Sequence, residues 1–278
     1  MAATRAAVLG APVAHSLSPA LHAAAYRALG LTDWSYEAIE CDEARLPGLL
    51  ASLGPDWAGL SLTMPLKRAV LPLLDHTEPL ATTVAAANTV ILRDGQRLGF
   101  NTDVAGLVAA MRAAGVTTEG NVVVLGAGAT ACSALAALRE TGTSDVTVAV
   151  RSRPTAEPLL AVAGQLGVLV RVADIGAGLL ASRRWDVLIS TIPGTAAAGV
   201  AGLFTAGLVT ARAVVDVGYD PWPAPLAAAA AAAGSVVISG YELLVHQAAG
   251  QVELMTGHRA PVEVMRAAGL AELDRRRE

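Results

Sequence analysis

Three observations in the sequence predict an α/β fold in two lobes. Short apolar runs recur at Asn121–Leu125, Val146–Val150, Val168–Val172, Val187–Ser190, Val214–Val217 and Val236–Ile238, separated by helix-length segments. Runs of this kind are strands buried on both faces, and their alternation with helices builds a doubly wound parallel sheet. A glycine-rich turn follows the first of these runs directly, at Gly126. Upstream of Asp103 the texture differs, with alternating strands and a two-residue hairpin signal, Asp94-Gly95.

Taken in order, Ala6–Leu9 reads as a short strand, and Ser18-Pro19 opens a helix through Leu29, with Ser18 as N-cap and Pro19 at the first helical position. Trp34–Glu40 alternates as a strand, Glu43–Leu53 is helical, and Gly59–Thr63 is an apolar strand ending at Met64-Pro65. Asn88–Leu92 and Gln96–Phe100 flank the hairpin turn, and a helix runs from Asp103 to about Ala114. After the parallel-sheet region, Ala227–Ala233 forms a helix between Pro225 and Gly234, and two helices, about Tyr241–Thr256 and Pro261–Asp274, close the chain. The domain division is therefore 1–103 with about 240–278, and 104–239; the last helices return to the first lobe because they lack a core of their own. A cleft between the two lobes, able to close and exclude water, is expected from this layout.

Composition narrows the function. The 278 residues are 54% hydrophobic and 16% charged, with a formal net charge of -4, a pI near 5.7 and a mean hydropathy of +0.51. Disorder is excluded, and binding nucleic acid by neutralising phosphates is disfavoured. With 4% aromatic residues, the core is expected to consist of Ala, Val and Leu. Cys41 and Cys132 make no disulfide framework or zinc spacing, and the five histidines make no HExxH or HxxxH, so no metal is expected. The apolar Ala6–Val13 is interrupted by Gly10 and Pro12 and reads as a strand, not a signal peptide. The uncharged stretch Val187–Ala211 is rich in Gly, Ser and Thr, which suits a strand, a loop and a short helix better than a membrane span. The chain reads as cytoplasmic, with no membrane or nucleic-acid partner. Its twenty basic residues include a single lysine, Lys67.

Gly126-Ala127-Gly128-Ala129-Thr130-Ala131 is GxGxxA in strand–turn–helix context. The first glycine permits the tight turn, the second lets backbone N–H groups approach a pyrophosphate, and the small Ala131 allows close helix–strand packing; the helix N-terminus favours negative charge. The lobe is thus of Rossmann type. The next strand ends in Arg151-Ser152-Arg153, where an NAD enzyme would carry an acid. Two guanidiniums and a hydroxyl suit a 2′-phosphate, which favours NADP(H) over NAD.

In the first lobe, polar segments follow the ends of elements: His15-Ser16-Leu17-Ser18, Ser61-Leu62-Thr63-Met64-Pro65-Leu66-Lys67, Ala87-Asn88-Thr89 and Asn101-Thr102-Asp103. Ligands of α/β domains gather at the C-terminal ends of strands. All these segments fit that rule except Asn88, which sits at a strand start. Hydroxyls, amides, one ammonium and one carboxylate suit a small polyhydroxylated substrate. Each residue also has a plainer reading: a surface helix position for Lys67, a helix N-cap for Asp103, and turn or cap chemistry for Ser16 and Ser18.

The order of these segments with the downstream GxGxxA resembles the shikimate dehydrogenase family over nearly the whole chain. The family's Ser-x-Ser appears as Ser16-Leu17-Ser18, its Asn-Val-Thr-x-Pro-x-Lys as Ser61 through Lys67, its Asn-Thr as Asn88-Thr89 and its Asn-Thr-Asp as Asn101-Thr102-Asp103. Tyr219-Asp220-Pro221 and Gly240 through Gln247 look like the segments that close the site. There are departures. Ser61 stands for the motif's Asn, Val150 for the Asn of Asn-Arg-Thr, Pro154 and Thr155 follow Arg153 where the family often has another basic residue, and Gly240-Tyr241-Glu242-Leu243 replaces a more glycine-rich turn.

The resemblance implies an N-terminal α/β substrate-binding lobe and a Rossmann-type doubly wound NADP-binding lobe. The implied reaction is the reversible NADPH-dependent reduction of 3-dehydroshikimate to shikimate in aromatic biosynthesis. Lys67 and Asp103 would be the catalytic pair, Ser16 and Ser18 would hold the substrate carboxylate, and Tyr219 would assist nearby. Thr63, Asn88 and Gln247 would bind ring hydroxyls. The cofactor would meet Gly126, Ala127, Gly128, Ala129, Arg151, Ser152 and Arg153, with Thr191, Val217 and Gly240. The enzyme would be a monomer or a homodimer. Alternatives are a quinate or dual-specificity dehydrogenase using NAD, a reductase of another keto acid, and a non-catalytic cofactor-binding regulator of the same fold.

Overall fold

The computed structural model describes residues 4–221 and 223–276, in two compact units: Met1–Thr102 with Leu244–Glu278, and Asp103–Leu243. The first unit holds a mixed six-stranded sheet. Its elements are β1 (Thr4–Gly10), α1 (Ser18–Ala28), β2 (Trp34–Glu40), α2 (Leu46–Ser52), β3 (Trp57–Leu62), α3 (Leu66–Ala69), β4 (His76–Thr77), α4 (Pro79–Thr83), β5 (Thr89–Arg93) and β6 (Gln96–Phe100). The strand order is β2-β1-β3-β5-β6-β4. β1 pairs in parallel with β2 and β3, β5 runs antiparallel to both β3 and β6, and β4 is parallel to β6. The hairpin turn is the one its dipeptide requires: Arg93 faces Gln96, and Asp94 (φ 53°) and Gly95 (φ 74°) both take the left-handed conformation of a type I′ turn.

The second unit carries α5 (Asp103–Ala113), β7 (Val122–Leu125), α6 (Ala129–Glu140), β8 (Asp145–Val150), α7 (Glu157–Leu166), β9 (Leu169–Asp174), α8 (Ala177–Leu180), β10 (Trp185–Ser190), α9 (Gly194–Thr205), β11 (Ala211–Asp216), α10 (Pro225–Ala232) and β12 (Val236–Ser239). Its sheet is parallel throughout, in the order β12-β11-β10-β7-β8-β9. The chain moves outward from β7 through β8 to β9, then returns to β10 on the other side of β7. That reversal is the switch point at which doubly wound sheets bind ligands. Two helices end the chain, α11 (Gly240–Thr256) and α12 (Val262–Arg275). No helix among the described residues is long and apolar enough to cross a membrane.

The cores are built largely of small aliphatic side chains, as the composition requires. Leu9, Leu60, Leu66, Val70 and Val90 are fully buried in the first unit, and Val123, Leu125, Leu188 and Val214 in the second. The few aromatics concentrate at particular places. Trp185 is buried with its indole N–H donating to Leu180 O at 3.0 Å, and Tyr26, Trp34, Tyr36 and His22 form one ring cluster beside α1.

Several elements differ from the sequence reading. The helix expected from Glu43 begins at Leu46, because residues 43–45 are a turn in which the Arg45 N–H donates to Asp42 Oδ1 at 2.8 Å, and Pro47 then enters the first helical turn. The short helix expected within Val187–Ala211 is a full α9 of 12 residues. The segment 66–83 carries α3, β4 and α4, none of which is long enough to leave a periodic signal. Ser18 is the first helical residue of α1 and not its cap; Leu17 precedes it, and the Ser18 N–H donates to Ser16 Oγ at 3.2 Å.

Leu60 lies on the central β3 with no exposed surface. Leu60→Ala removes buried methyl groups from a packed sheet interior and is expected to lower stability by about 2–5 kcal/mol. A chemical denaturation curve checks this through its midpoint at unchanged slope.

Candidate active site

Strand reversal in the first sheet gathers the polar segments on one edge. Because β5 runs against β3, its start lies beside the end of β3: the Leu62 N–H donates to Asn88 O at 2.7 Å, and the Asn88 N–H donates to Phe100 O at 3.0 Å. Asn88, the exception in the sequence, therefore shares an edge with Thr63 and with Asn101. The end of β1 arrives there too, since the Thr63 N–H donates to Leu9 O at 2.9 Å and the Ala11 N–H to Met64 O at 3.0 Å. This approach requires Gly10, where a Cβ would run into the Thr63 side chain. Lys67 lies half-buried on the single turn of α3, and its carbonyl accepts the Ala87 N–H at 2.8 Å, which ties it to the segment delivering Asn88.

Behind this edge a buried hydrogen-bond relay crosses the unit. The Tyr36 hydroxyl donates to Ser61 Oγ at 2.6 Å, and Ser61 donates to Gln251 Oε1 at 2.8 Å. Gln251 Nε2 donates to Asn88 O and Thr89 Oγ1, both at 3.2 Å. Asn88 Oδ1 accepts from the Thr89 hydroxyl at 2.9 Å and from the Thr102 N–H at 2.8 Å, while its Nδ2 donates to Thr102 Oγ1 at 2.9 Å and Gln247 Oε1 at 3.1 Å. Gln247 Nε2 in turn donates to Leu244 O at 3.1 Å. The partners leave each amide one orientation and hold Asn88 and Gln247 in place, with both donors and both acceptor positions of Asn88 used within the relay.

The relay continues to the Ser16–Ser18 segment. Ser18 is a further hydrogen-bond partner of the Tyr36 hydroxyl, whose pKa burial pushes up, so the phenol stays protonated. The Tyr36 ring stacks on His22, with centroids 3.9 Å apart, and His22 Nδ1 lies 2.9 Å from Ser18 O. Burial lowers the His22 pKa to about 4, which leaves the ring neutral and Nδ1–H the donor to that carbonyl.

Asp103 is buried as the first residue of α5, where the helix dipole favours a carboxylate. In the second unit, the glycine-rich turn joins β7 to α6. Gly126 has φ 101°, and a Cβ there would lie 2.7 Å from Thr191 Oγ1, whose hydroxyl donates to Leu125 O at 2.7 Å. Thr191 thus closes against the turn from β10. Gly128 precedes the first residue of α6, and a Cβ there would meet no protein atom within 4 Å. Its missing side chain relieves no crowding in the protein; the space belongs to a cavity of about 990 Å³ lined by Gly126–Gly128, Arg151, Ser152, Thr155 and the apolar Ile192. That volume and the N–H groups of the first turn of α6 fit a phosphate-bearing dinucleotide.

Arg151 and Ser152 line this cavity, but Arg153 is turned elsewhere. Its guanidinium forms a fork on Asp174, with Nε–Oδ1 at 3.2 Å and Nη2–Oδ2 at 3.3 Å. The acid that the sequence did not place beside the arginines comes from the end of the neighbouring strand, β9. Val217 leaves β11 with its N–H on Ser190 O at 3.1 Å, and Gly240 touches it so closely that a Cβ would overlap the Val217 carbonyl. Gly240 therefore has a packing reason in addition to any cofactor contact. Asp216, buried with its pKa raised by desolvation, accepts the Gly218 N–H at 3.3 Å and anchors the loop that leads to the half-buried Tyr219. Among the described residues, no group of three or more His, Cys, Asp or Glu is placed to hold a metal ion.

Reading the sequence did not single out Tyr36, Gln251 or Asp216, and named Thr102 only within the Asn101-Thr102-Asp103 segment. The signal for Gln251 was present: it lies one helical turn beyond Gln247 on α11, hence on the same face. Tyr36 had no local signal, because its place opposite Ala6 depends on strand register.

Comparison with known proteins gives consistent results. Residues 8–90 match a family profile described as the shikimate dehydrogenase substrate binding domain, and residues 240–268 match the shikimate 5'-dehydrogenase C-terminal domain. A shikimate dehydrogenase (NADP(+)) of Geobacter sp. (strain M21) is 37% identical over 96% of this chain and 94% of its own length. The crystal structure of Mycobacterium tuberculosis shikimate dehydrogenase superposes with a TM-score of 0.85 at 44% identity, over 97% of this chain and 99% of that one. A shikimate 5-dehydrogenase of Thermus thermophilus, solved in complex with NADP(H) and shikimate, gives a TM-score of 0.81 at 33% identity, over 96% and 99% of the two chains.

Gln251→Leu removes the acceptor of the Ser61 hydroxyl and the donor to the Asn88 carbonyl and the Thr89 hydroxyl oxygen, all in the buried relay. The expected loss of stability is about 1–3 kcal/mol, measurable by thermal or chemical denaturation, whereas Gln251→Glu at low pH keeps an acceptor for Ser61 and loses less.

Proposed function

The chain belongs to the shikimate dehydrogenase family, and from that premise we propose how its own residues perform the reaction. It is an oxidoreductase that interconverts 3-dehydroshikimate and shikimate with NADP(H), a step of aromatic (chorismate) biosynthesis. Similarity over nearly the whole chain to NADP-dependent members carries this reading. The polar sheet edge and the glycine-lined cavity support the roles given to individual residues.

Bound NADPH supplies the hydride that reduces the substrate ketone. The oxygen of that ketone then needs a proton, and we assign it to the Lys67 ammonium; in the oxidising direction the neutral amine takes the hydroxyl proton back. A guanidinium holds its proton too firmly to do either. This explains why the position keeps a lysine in a chain whose other basic residues are all arginine. The resemblance pairs Lys67 with Asp103, whose carboxylate would hold the ammonium in place. The Ser16 and Ser18 hydroxyls bind the substrate carboxylate, with Tyr219 assisting, and Thr63, Asn88 and Gln247 take ring hydroxyls, the two amides held in register by the relay behind them.

For the cofactor, the backbone at Gly126, Ala127, Gly128 and Ala129 would hold the pyrophosphate, and Arg151 and Ser152 the 2′-phosphate. Arg153 would reach that phosphate only by leaving Asp174. Thr191, Val217 and Gly240 would border the nicotinamide half. We place the enzyme in the cytoplasm, as a monomer or a homodimer; its two buried free cysteines support a reducing compartment.

A spectrophotometric assay with shikimate and quinate against NADP and NAD tests the assignment. Turnover is expected with shikimate and NADP, and absence of turnover at any pH overturns it. Lys67→Ala is expected to lower kcat by about 10²–10⁴-fold with NADPH affinity unchanged; a change of only a few-fold removes the role given to Lys67. Arg151→Ala is expected to raise KM for NADP by about tenfold while leaving KM for NAD alone.

A further inference from the structure

The segment between β1 and α1 buries Val13 and Leu17 and is tied at several places through its backbone. The Val13 N–H donates to Glu40 Oε2 at 3.0 Å, and the Ser16 N–H donates to Val13 O at 2.9 Å. Ser16 Oγ accepts the Ser18 N–H, so the serine's own hydrogen remains for donation outward. Two carbonyls of the segment, those of His15 and Ser16, point to one guanidinium from the far end of the sequence. Arg276 Nη1 donates to His15 O at 2.6 Å, and Nη2 to Ser16 O at 3.1 Å.

The guanidinium is itself fixed. Its Nε donates to Glu272 Oε1 at 2.8 Å, one turn back along α12, and Glu272 also takes a fork from Arg275. The Arg275 and Arg276 guanidiniums hold the Glu272 carboxyl down at about 2, so it is an anion throughout the working range. α12 packs along α1, with Met265 and Leu273 buried, which sets the height at which Arg276 meets the segment.

We propose that Arg276 is a positioning residue for the substrate carboxylate: by clasping the His15 and Ser16 carbonyls it fixes the backbone that presents the Ser16 hydroxyl. The proposal rests on the reading of Ser16 as a carboxylate ligand. A guanidinium suits the task because its planar fork reaches two adjacent carbonyls and an anchoring carboxylate at once, which a lysine ammonium on a flexible stem does not do with the same geometry. No group of Arg276 needs to touch substrate.

The test is steady-state kinetics of the full chain carrying Ser16→Ala, Arg276→Ala, Arg276→Lys and the double Ser16→Ala/Arg276→Ala, with shikimate and with its methyl ester. Arg276→Ala is expected to raise KM for shikimate by about tenfold, with kcat changed less than about threefold and KM for NADP unchanged. The penalty should shrink with the ester, which lacks the anionic charge, and Arg276→Lys should restore part of the loss. The double variant should be no worse than Ser16→Ala, because the arginine acts through that serine. If Ser16→Ala raises KM but Arg276→Ala does not, or if their effects multiply, Arg276 does not position the serine. If Ser16→Ala leaves KM unaltered, the reading of Ser16 fails first and the proposal with it. Equal losses in kcat and in NADP affinity mark a general structural defect and overturn the positioning role.

Discussion

A single reversal of strand direction organises the first unit. Were β5 parallel to β3, its start would lie at the opposite end of the sheet, and Asn88 would be a strand length, about 16 Å, from Thr63. The antiparallel pairing instead puts the Asn88 carbonyl on the Leu62 N–H and brings β6 back to deliver Asn101 and Thr102 to the same edge. The Asp94-Gly95 turn makes this possible in two residues, and the left-handed φ at both positions sets the register for every pair along the hairpin. A buried amide network is then stable only because the edge supplies a partner for each group; half of it would cost more than an apolar replacement.

The second unit solves a different problem, which is close approach. Gly126 and Gly240 both stand where a side chain would strike a neighbouring strand end. Gly128 differs from them, since nothing in the protein occupies the direction its side chain would take. Gly128 therefore has no packing reason within the protein, and the space beside it belongs to the cavity. The fork between Arg153 and Asp174 shows the same economy of space from the polar side, because an exposed arginine next to two residues that line the cavity is already engaged within the protein.

Much of this was legible in the sequence, and the reasons are local. The parallel sheet announced itself through uninterrupted apolar runs, which only strands covered on both faces can sustain. The hairpin, the glycine-rich turn and the helix starting at Asp103 rest on residues whose chemistry fixes the backbone within a few positions. What escaped reading depends on contacts between distant segments. Tyr36 meets Ser61 only because β1 lies between their strands in a particular register. Gln251 is 190 residues from Ser61, and its partner could not be named from either end. Asn88 was read correctly at a strand start, but the edge that this start shares was not legible, since strand direction is a property of the sheet and not of the tripeptide. The role of Ser61 also changes in three dimensions: it is short, but the Tyr36 hydroxyl and Gln251 complete its bonding.

The half-buried Lys67 has a chemical consequence that reaches beyond turnover. Among the side chains of this protein it is the one primary amine, and every other cation is a guanidinium or an imidazole. Reagents that distinguish amines from guanidines therefore meet a single side chain, at the start of a four-residue helix on the polar edge, besides the α-amino group of the chain. A methyl group placed on that nitrogen would give one side-chain resonance, and its frequency would follow the protonation of a group that most enzymes hide among a dozen others.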